Sequence, residues 1–130
     1  MNALQRKMIV RSDTDIVNAR MAVRNFAGHC GFNSRDQACI SLISSSLVNF
    51  LGLEKRLHFV SVEMLIEYFE SDQKHGVRVT CTKQRAETND WQVMNSLGNS
   101  YMLVDDIQMK PTAPNGIEVI VTKWDSTYKG

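Results

Sequence analysis

The chain has 130 residues, is 43% hydrophobic and 22% charged, and carries a formal net charge of +1. That length and balance fit one soluble globular domain with a real core, and the near-neutral charge argues against a dedicated nucleic-acid binder, whose footprint is a basic patch. No apolar run approaches the ~20 residues that cross a bilayer. The opening MNALQRKMIVRSD lacks the apolar core and cleavage site of a signal peptide. Cys30, Cys39 and Cys81 show no CxxC spacing and sit among apolar neighbours. They read as free thiols in the core rather than a disulfide framework or zinc site, and so point to a reducing, cytoplasmic setting.

In chain order, Leu4 to Arg11 reads as a short first strand. Ser12-Asp13-Thr14-Asp15 starts a helix, with small polar caps and acids near the positive end of the dipole. Ile16, Val23, Phe26, Ala27 and Cys30 recur at helical spacing, and Gly31 stops the helix. Ser34 and Gln37 fit an S-x-x-Q capping box, with Ser34 as N-cap of a second helix. Cys39, Ile40, Ile43, Leu47, Phe50 and Leu51 give that helix a broad buried stripe, and Gly52 ends it.

Arg56 to Phe69 reads as a long strand whose even-numbered residues, His58 to Tyr68, face the core. Ser71 to Gly76 is a polar turn, and Val77 to Thr82 alternates again to complete a hairpin. Lys83 to Asp90 is polar and without pattern, and Trp91 to Val104 is a helix weakened by Asn95, Gly98, Asn99 and Ser100. Ile107 to Lys110 is a short strand, Pro111 to Gly116 a turn, and Ile117 to Trp124 the final strand, with a mobile tail after Asp125. The sum is α+β: a two-layer sandwich of a mixed, mostly antiparallel sheet with helices on one face.

Single-residue chemistry adds little. His29, His58 and His75 are far apart, without ligand spacing, and His75 falls in the hairpin turn as a surface or structural residue. Ser44-Ser45-Ser46 lies inside an amphipathic helix and lacks a G-x-S-x-G elbow. Glu63 and Glu67 share the outer face of a strand, which is how solvated acids are distributed.

Three segments nevertheless form a pattern: Asp15-Ile-Val-Asn-Ala-Arg20 with Gly31-Phe32 and Asp36-Gln37; Ile43 to Asn49; and Val104-Asp105-Asp106-Ile107 with Asn115-Gly116 and Thr122-Lys123-Trp124. In order and spacing this resembles the Bergerat (GHKL) ATP-binding fold of histidine kinases, gyrase and MutL. The closest likeness is to small anti-sigma-factor serine kinases of the RsbT and RsbW type. The resemblance runs from about residue 8 to residue 124, and makes residues 1–130 a single degenerate domain of that kind.

What the resemblance implies is a fold that has lost its chemistry. The family places Glu and Asn four residues apart on one helical face. Asn49 matches the magnesium-holding Asn, but Ser45 stands where the Glu is expected, and a serine hydroxyl is no general base near neutral pH. On its residues alone, Asn49 is equally a helix-end residue near Gly52. Where the family has Asp-x-Gly-x-Gly, this chain has Lys83-Gln84-Arg85-Ala86-Glu87. An ammonium at Lys83 offers only donors and cannot replace the adenine-binding acceptor. Arg85 and Glu87 add bulk, and are expected to pair and close the old pocket. Gly98 is the one remnant of the glycine-rich lid.

Three functions follow from these residues. The first is a regulatory, catalytically inactive binding switch that occupies a STAS-domain protein, or a phosphatase or sigma-factor regulator, or forms a homodimer. By resemblance its contact surface is the first helix, with Asp15, Asn18, Arg20 and Arg24. It needs no cofactor. The second is a divergent serine kinase or ATPase that binds Mg-ATP or Mg-ADP through Asn49, Lys83 and Arg85, with phosphate contacts from the basic pair. The third is an oligomeric scaffold subunit that pairs through an exposed hairpin edge. No nucleic acid or membrane partner is expected.

Overall fold

The computed structural model describes residues 4–54, 58–59, 61–84, 90–113 and 115–126. The chain runs β1 (Gln5–Val10), α1 (Asp13–His29), α2 (Ser34–Gly52), the two-residue strands β2 (Leu53–Glu54) and β3 (His58–Phe59), β4 (Val62–Ser71) and β5 (Lys74–Lys83). It continues through α3 (Asp90–Leu97), a 3₁₀ helix (Gly98–Leu103), β6 (Asp106–Thr112) and β7 (Gly116–Trp124). A five-stranded sheet has the order β1-β4-β5-β7-β6, and β2 and β3 pair separately. Every described pairing is antiparallel, so the parallel element of the expected mixed sheet is not found among the described residues.

The register explains the core. Opposite residues in a ladder share a face, and Val10↔Val62, Met64↔Cys81↔Val119 and Ile66↔Val79↔Val121 fall on the same one. These side chains are buried together with Ile40, Ile43, Leu47 and Leu51 of α2 and Ala19, Val23 and Ala27 of α1. α1 and α2 pack against each other and form the helical layer over this face, while α3 packs on α2. The opposite face is left open. There Lys7, Ile9, Glu63, Leu65 and Thr82 border a shallow depression of about 580 Å³. Among the described residues the fold is therefore α+β, with an antiparallel sheet and three α-helices.

Local chemistry sets the helix ends. Ser12 is the N-cap of α1, its Oγ accepting the Asp15 N–H at 3.2 Å. The helix stops in a Schellman arrangement: Phe32 N–H reaches Ala27 O at 3.0 Å and Gly31 N–H reaches Gly28 O at 3.1 Å. Gly31 takes φ +90°, the left-handed value that glycine adopts without steric cost.

The second cap differs from the expected one. Asn33, not Ser34, is the N-cap of α2, with its Oδ1 accepting the Asp36 N–H at 2.8 Å. Gln37 does not close a capping box but donates its Nε2–H to Phe32 O at 2.7 Å. The Schellman turn delivers the chain to Asn33 in position to cap, and asparagine is among the strongest N-cap residues.

Other boundaries shift for visible reasons. The β4–β5 turn contracts to Asp72-Gln73, both at positive φ (50° and 68°), because Ser71↔Lys74 and Glu70↔His75 still pair. A two-residue loop with both residues left-handed is the hairpin geometry that matches strand twist. His75 consequently lies within β5 rather than in the turn. Pro111 belongs to β6, where an edge strand tolerates its missing N–H. The expected helix from Trp91 to Val104 is broken at Gly98 (φ +55°) into α3 and the 3₁₀ helix. The long strand expected from Arg56 is divided into β3 and β4, and residues 55–57 and 60 lie outside the described residues.

Candidate functional site

The helical layer places the sequence-derived candidates first. Ser45 and Asn49 lie four residues apart on α2 and line a polar groove of about 290 Å³ against α1. The other described walls of this groove are Ser46 and, from α1, Asp13, Ile16 and Arg20. The pair thus looks onto the first helix. Ser45 is only 5% exposed, and its Oγ–H donates to the Leu42 carbonyl at 3.0 Å. That bond turns the hydroxyl back onto its own helix, a common resting place for a mid-helix serine. Asn49 is exposed at the rim.

The remaining candidates are elsewhere. Lys83 is the last residue of β5 and is 3% exposed. Gly98 is the hinge between α3 and the 3₁₀ helix. Neither is among the residues that line the Asn49 groove. Arg85 and Glu87 lie outside the described residues, as does their expected pairing. Of the α1 candidates, Asn18, Arg20 and Arg24 are exposed, and Arg20 alone reaches the groove. Asp15 is partly structural, since its Oδ2 accepts the Arg11 N–H at 2.9 Å across the helix start.

The outer surface of this layer also carries Val17, Met21 and Leu42, which are 51%, 56% and 47% exposed. Polar Arg20, Arg24 and Asn18 interleave with them on α1. Apolar side chains set among arginines form a surface that can bury area against a protein and pair with its carboxylates. In the described part of this groove the one buried hydroxyl is committed to backbone, there is no histidine, cysteine or glutamate, and the one carboxylate, Asp13, comes from the first turn of α1 rather than from α2.

A second polar assembly is denser. Asp36, in the first turn of α2, is 2% exposed. Its Oδ2 accepts both the backbone N–H (2.9 Å) and the Oγ–H (2.6 Å) of Ser126, ninety residues away. Its Oδ1 lies 3.8 Å from Lys123 Nζ, and Lys123 lies 3.8 Å from Asp105 Oδ2. Asp105 in turn accepts the Trp124 N–H at 2.7 Å. Beside it, His75 Nε2 meets Asp125 Oδ2 at 2.7 Å, and the Asp125 N–H reaches His75 O at 3.0 Å. The imidazole packs against Phe32 and Tyr68, with ring centroids 6.2 and 5.9 Å away. These bonds pin the chain just past β7 to the start of α2, so Ser126 is anchored where a mobile tail was expected.

Sequence reasoning saw Asp36, Asp105 and Lys123 only as parts of the resembled pattern, read His75 as a surface or structural residue but in the turn, and missed Asp125 and Ser126. The available signal was chemical: Asp125-Ser126 follows directly on a strong strand, as a C-terminal clasp requires.

The thiols and one phenol are tuned by burial. Burial pushes the Cys81 thiol up to about 12, from an ordinary value of 9.0, and raises Cys30 as well. Tyr68 is raised by desolvation first, then by Glu70, Cys30 and Asp125. All three shifts oppose ionisation, so none of these groups is an activated nucleophile. Among the described residues, no group of three or more His, Cys, Asp or Glu is placed to hold a metal ion, and no helix is long and apolar enough to cross a membrane.

No protein-family model and no curated protein matches this chain.

Proposed function

We propose that the protein is a regulatory binding switch of the Bergerat fold, resembling RsbT-type kinases, that has lost phosphoryl transfer and acts by occupying a protein partner. The partner class is a STAS-domain protein, or a phosphatase or sigma-factor regulator. The observation that carries this reading is the state of Ser45. It stands where the family's general base belongs, and its hydroxyl is buried and bound to Leu42 O. In the described lining of the groove α2 supplies no carboxylate or imidazole beside Asn49, and the one carboxylate there, Asp13, belongs to the first turn of α1.

Three further observations support the reading. The chain order of strand, two helices, hairpin, helix and closing hairpin is the one the resemblance implies. Lys83, at the position of the adenine-binding acceptor, brings a donor-only ammonium to the end of β5. The exposed strip of α1, with Val17, Met21, Arg20 and Arg24, supplies area and positive charge for a partner.

The test is calorimetric titration of the folded protein with Mg-ATP and Mg-ADP, followed by titration with STAS-domain proteins. The expected result is no heat with nucleotide, and protein binding that Arg20→Ala with Arg24→Ala weakens about ten-fold or more. Micromolar nucleotide binding would instead establish the divergent-ATPase alternative. The scaffold alternative is disfavoured by the sheet edges. β1 presents Lys7 and β6 presents Lys110 and Pro111, the residues that block edge-to-edge pairing.

A further inference from the structure

A separate surface lies on α3 and the 3₁₀ helix, away from the α1–α2 groove. Trp91 and Met102 are each 70% exposed and Tyr101 is 47% exposed. Three large side chains of this kind within twelve residues of one another form an unusual local concentration, since solvated helices rarely hold out Trp, Tyr and Met together. These residue types, with Arg, are the ones enriched where proteins bind one another. Tyr101 and Met102 also form the walls of a cleft of about 340 Å³ with a Met94, Val104 and Ile107 floor. That is room for one or two aliphatic side chains.

The charge at this cleft selects the partner. Asp105 and Asp106 are the only charged groups among its described lining residues, and both are exposed at its rim. Asp106 Oδ2 accepts only the side-chain amide of Gln108, at 2.9 Å, in the described contacts, so its charge is uncompensated there. Asp105 is partly neutralised by Lys123, at 3.8 Å. A second copy of this chain docking through the same patch would bring both copies' Asp105 and Asp106 into one interface, with no Lys or Arg among the described lining of the cleft to pair them. An anionic membrane meets the same repulsion. A cationic, aliphatic protein segment meets neither.

We infer that the α3–3₁₀ surface is a docking site for a basic amphipathic segment of a partner protein. An aliphatic anchor of that segment enters the Met94–Ile107 cleft, an aromatic contact forms with Trp91 and Tyr101, and a Lys or Arg meets Asp106. This inference does not depend on the pseudo-kinase reading, which concerns α1 and Ser45.

The test uses two 18-residue helical peptides of the same Leu pattern, one with Lys and the other with Glu at the polar positions. Binding to the full chain is followed by Trp fluorescence and by backbone amide shifts. The expected result is a blue shift that is lost in Trp91→Phe, with shifts confined to residues 91–107. The Lys peptide should bind at least ten-fold more tightly than the Glu peptide, a preference that Asp106→Lys abolishes and that Tyr101→Ala weakens about five-fold. Because every substituted side chain is exposed, circular dichroism of the variants should match the parent. Equal binding of the two peptides, no binding of either, or amide shifts mapping to the α1–α2 groove would each overturn the inference. So would a sedimenting dimer that Trp91→Ser dissociates, or retention of the chain on phosphatidylserine vesicles.

Discussion

Two polar regions flank α2, and they are built in opposite ways. Along the α1 side, Ser45 and Asn49 lie in an open groove with no bond linking them to another element among the described contacts. At the N-terminal end of the same helix, Asp36 binds Ser126 twice and faces Lys123, which faces Asp105, which holds the Trp124 N–H. On the proposed reading, the first region keeps the spacing and the asparagine of a catalytic motif but not its acid. The second carries no catalytic spacing, yet its groups satisfy one another across ninety residues of sequence. Polar residues joined into a network position structure, while unlinked ones on an open face are free to meet a partner.

That contrast is broken most directly at Asp36. Asp36→Ala leaves Lys123 with one acid instead of two and strips the Ser126 N–H and hydroxyl of their acceptor. Removing one partner from a buried charged network costs about 3 kcal/mol, so urea denaturation should show a clearly lower midpoint. Asp36→Asn keeps an acceptor oxygen and should recover part of the loss. If Asp36→Ala unfolds with the parental midpoint, the junction is not a structural clasp.

His75 is the next probe. Asp125 is 9% exposed and its carboxylate meets His75 Nε2 at 2.7 Å. His75→Ala removes that donor and the ring that fills the space between Phe32 and Tyr68. The expected cost is about 2 kcal/mol. Hydrogen exchange should show faster opening at the end of β7 than in β4, since the lost contacts hold that end.

Much of this frame was readable from sequence because it rests on local pattern. The Ser12 cap, the Gly31 stop, the alternation of Val77, Val79 and Cys81 and the apolar stripe of α2 are short-range signals, and each appears where the spacing placed it. The capping of α2 was off by one residue because Asn33 and Ser34 are both good caps, and only the path out of the preceding turn chooses between them. The clasp was invisible for a different reason. Asp36 with Ser126, and His75 with Asp125, are contacts set by sheet order and strand length, which no local window contains. Ser45 was located correctly on its helix, but its facing toward α1 depended on how the two helices pack.

The sheet beneath the helical layer supplies a pH probe. Cys81 is fully buried, with its thiol held up to about 12. Once unfolded, the thiol ionises above about pH 8.5. Between those values the folded chain binds more protons than the unfolded one, so stability present below pH 8.5 is lost as pH rises. The loss is at most about 1.4 kcal/mol per pH unit for one group. Tyr68 is also raised and adds a loss of the same sign at higher pH. Denaturation at pH 8 and pH 10 should show a fall in midpoint that is smaller in Cys81→Ala. An equal fall in the variant would assign the alkaline instability to other groups.

The smallest expected effect is the most discriminating. Ser45→Ala removes one hydroxyl that serves only the Leu42 carbonyl. That carbonyl belongs to the helix ladder, so the change should alter stability by no more than about 0.5 kcal/mol. If Ser45 still took part in phosphoryl transfer, the same change would alter nucleotide handling without altering stability. Ser45→Glu sharpens the point. It introduces the acid of the resembled kinases, but at a position 5% exposed against α1, where a carboxylate loses hydration unless Arg20 turns inward to meet it. A destabilised Ser45→Glu protein that still binds no Mg-ATP is the expected result, since Lys83 at the end of β5 stands where the resembled kinases carry the adenine acceptor. Mg-ATP binding by that variant would overturn the proposal and favour the divergent-ATPase alternative.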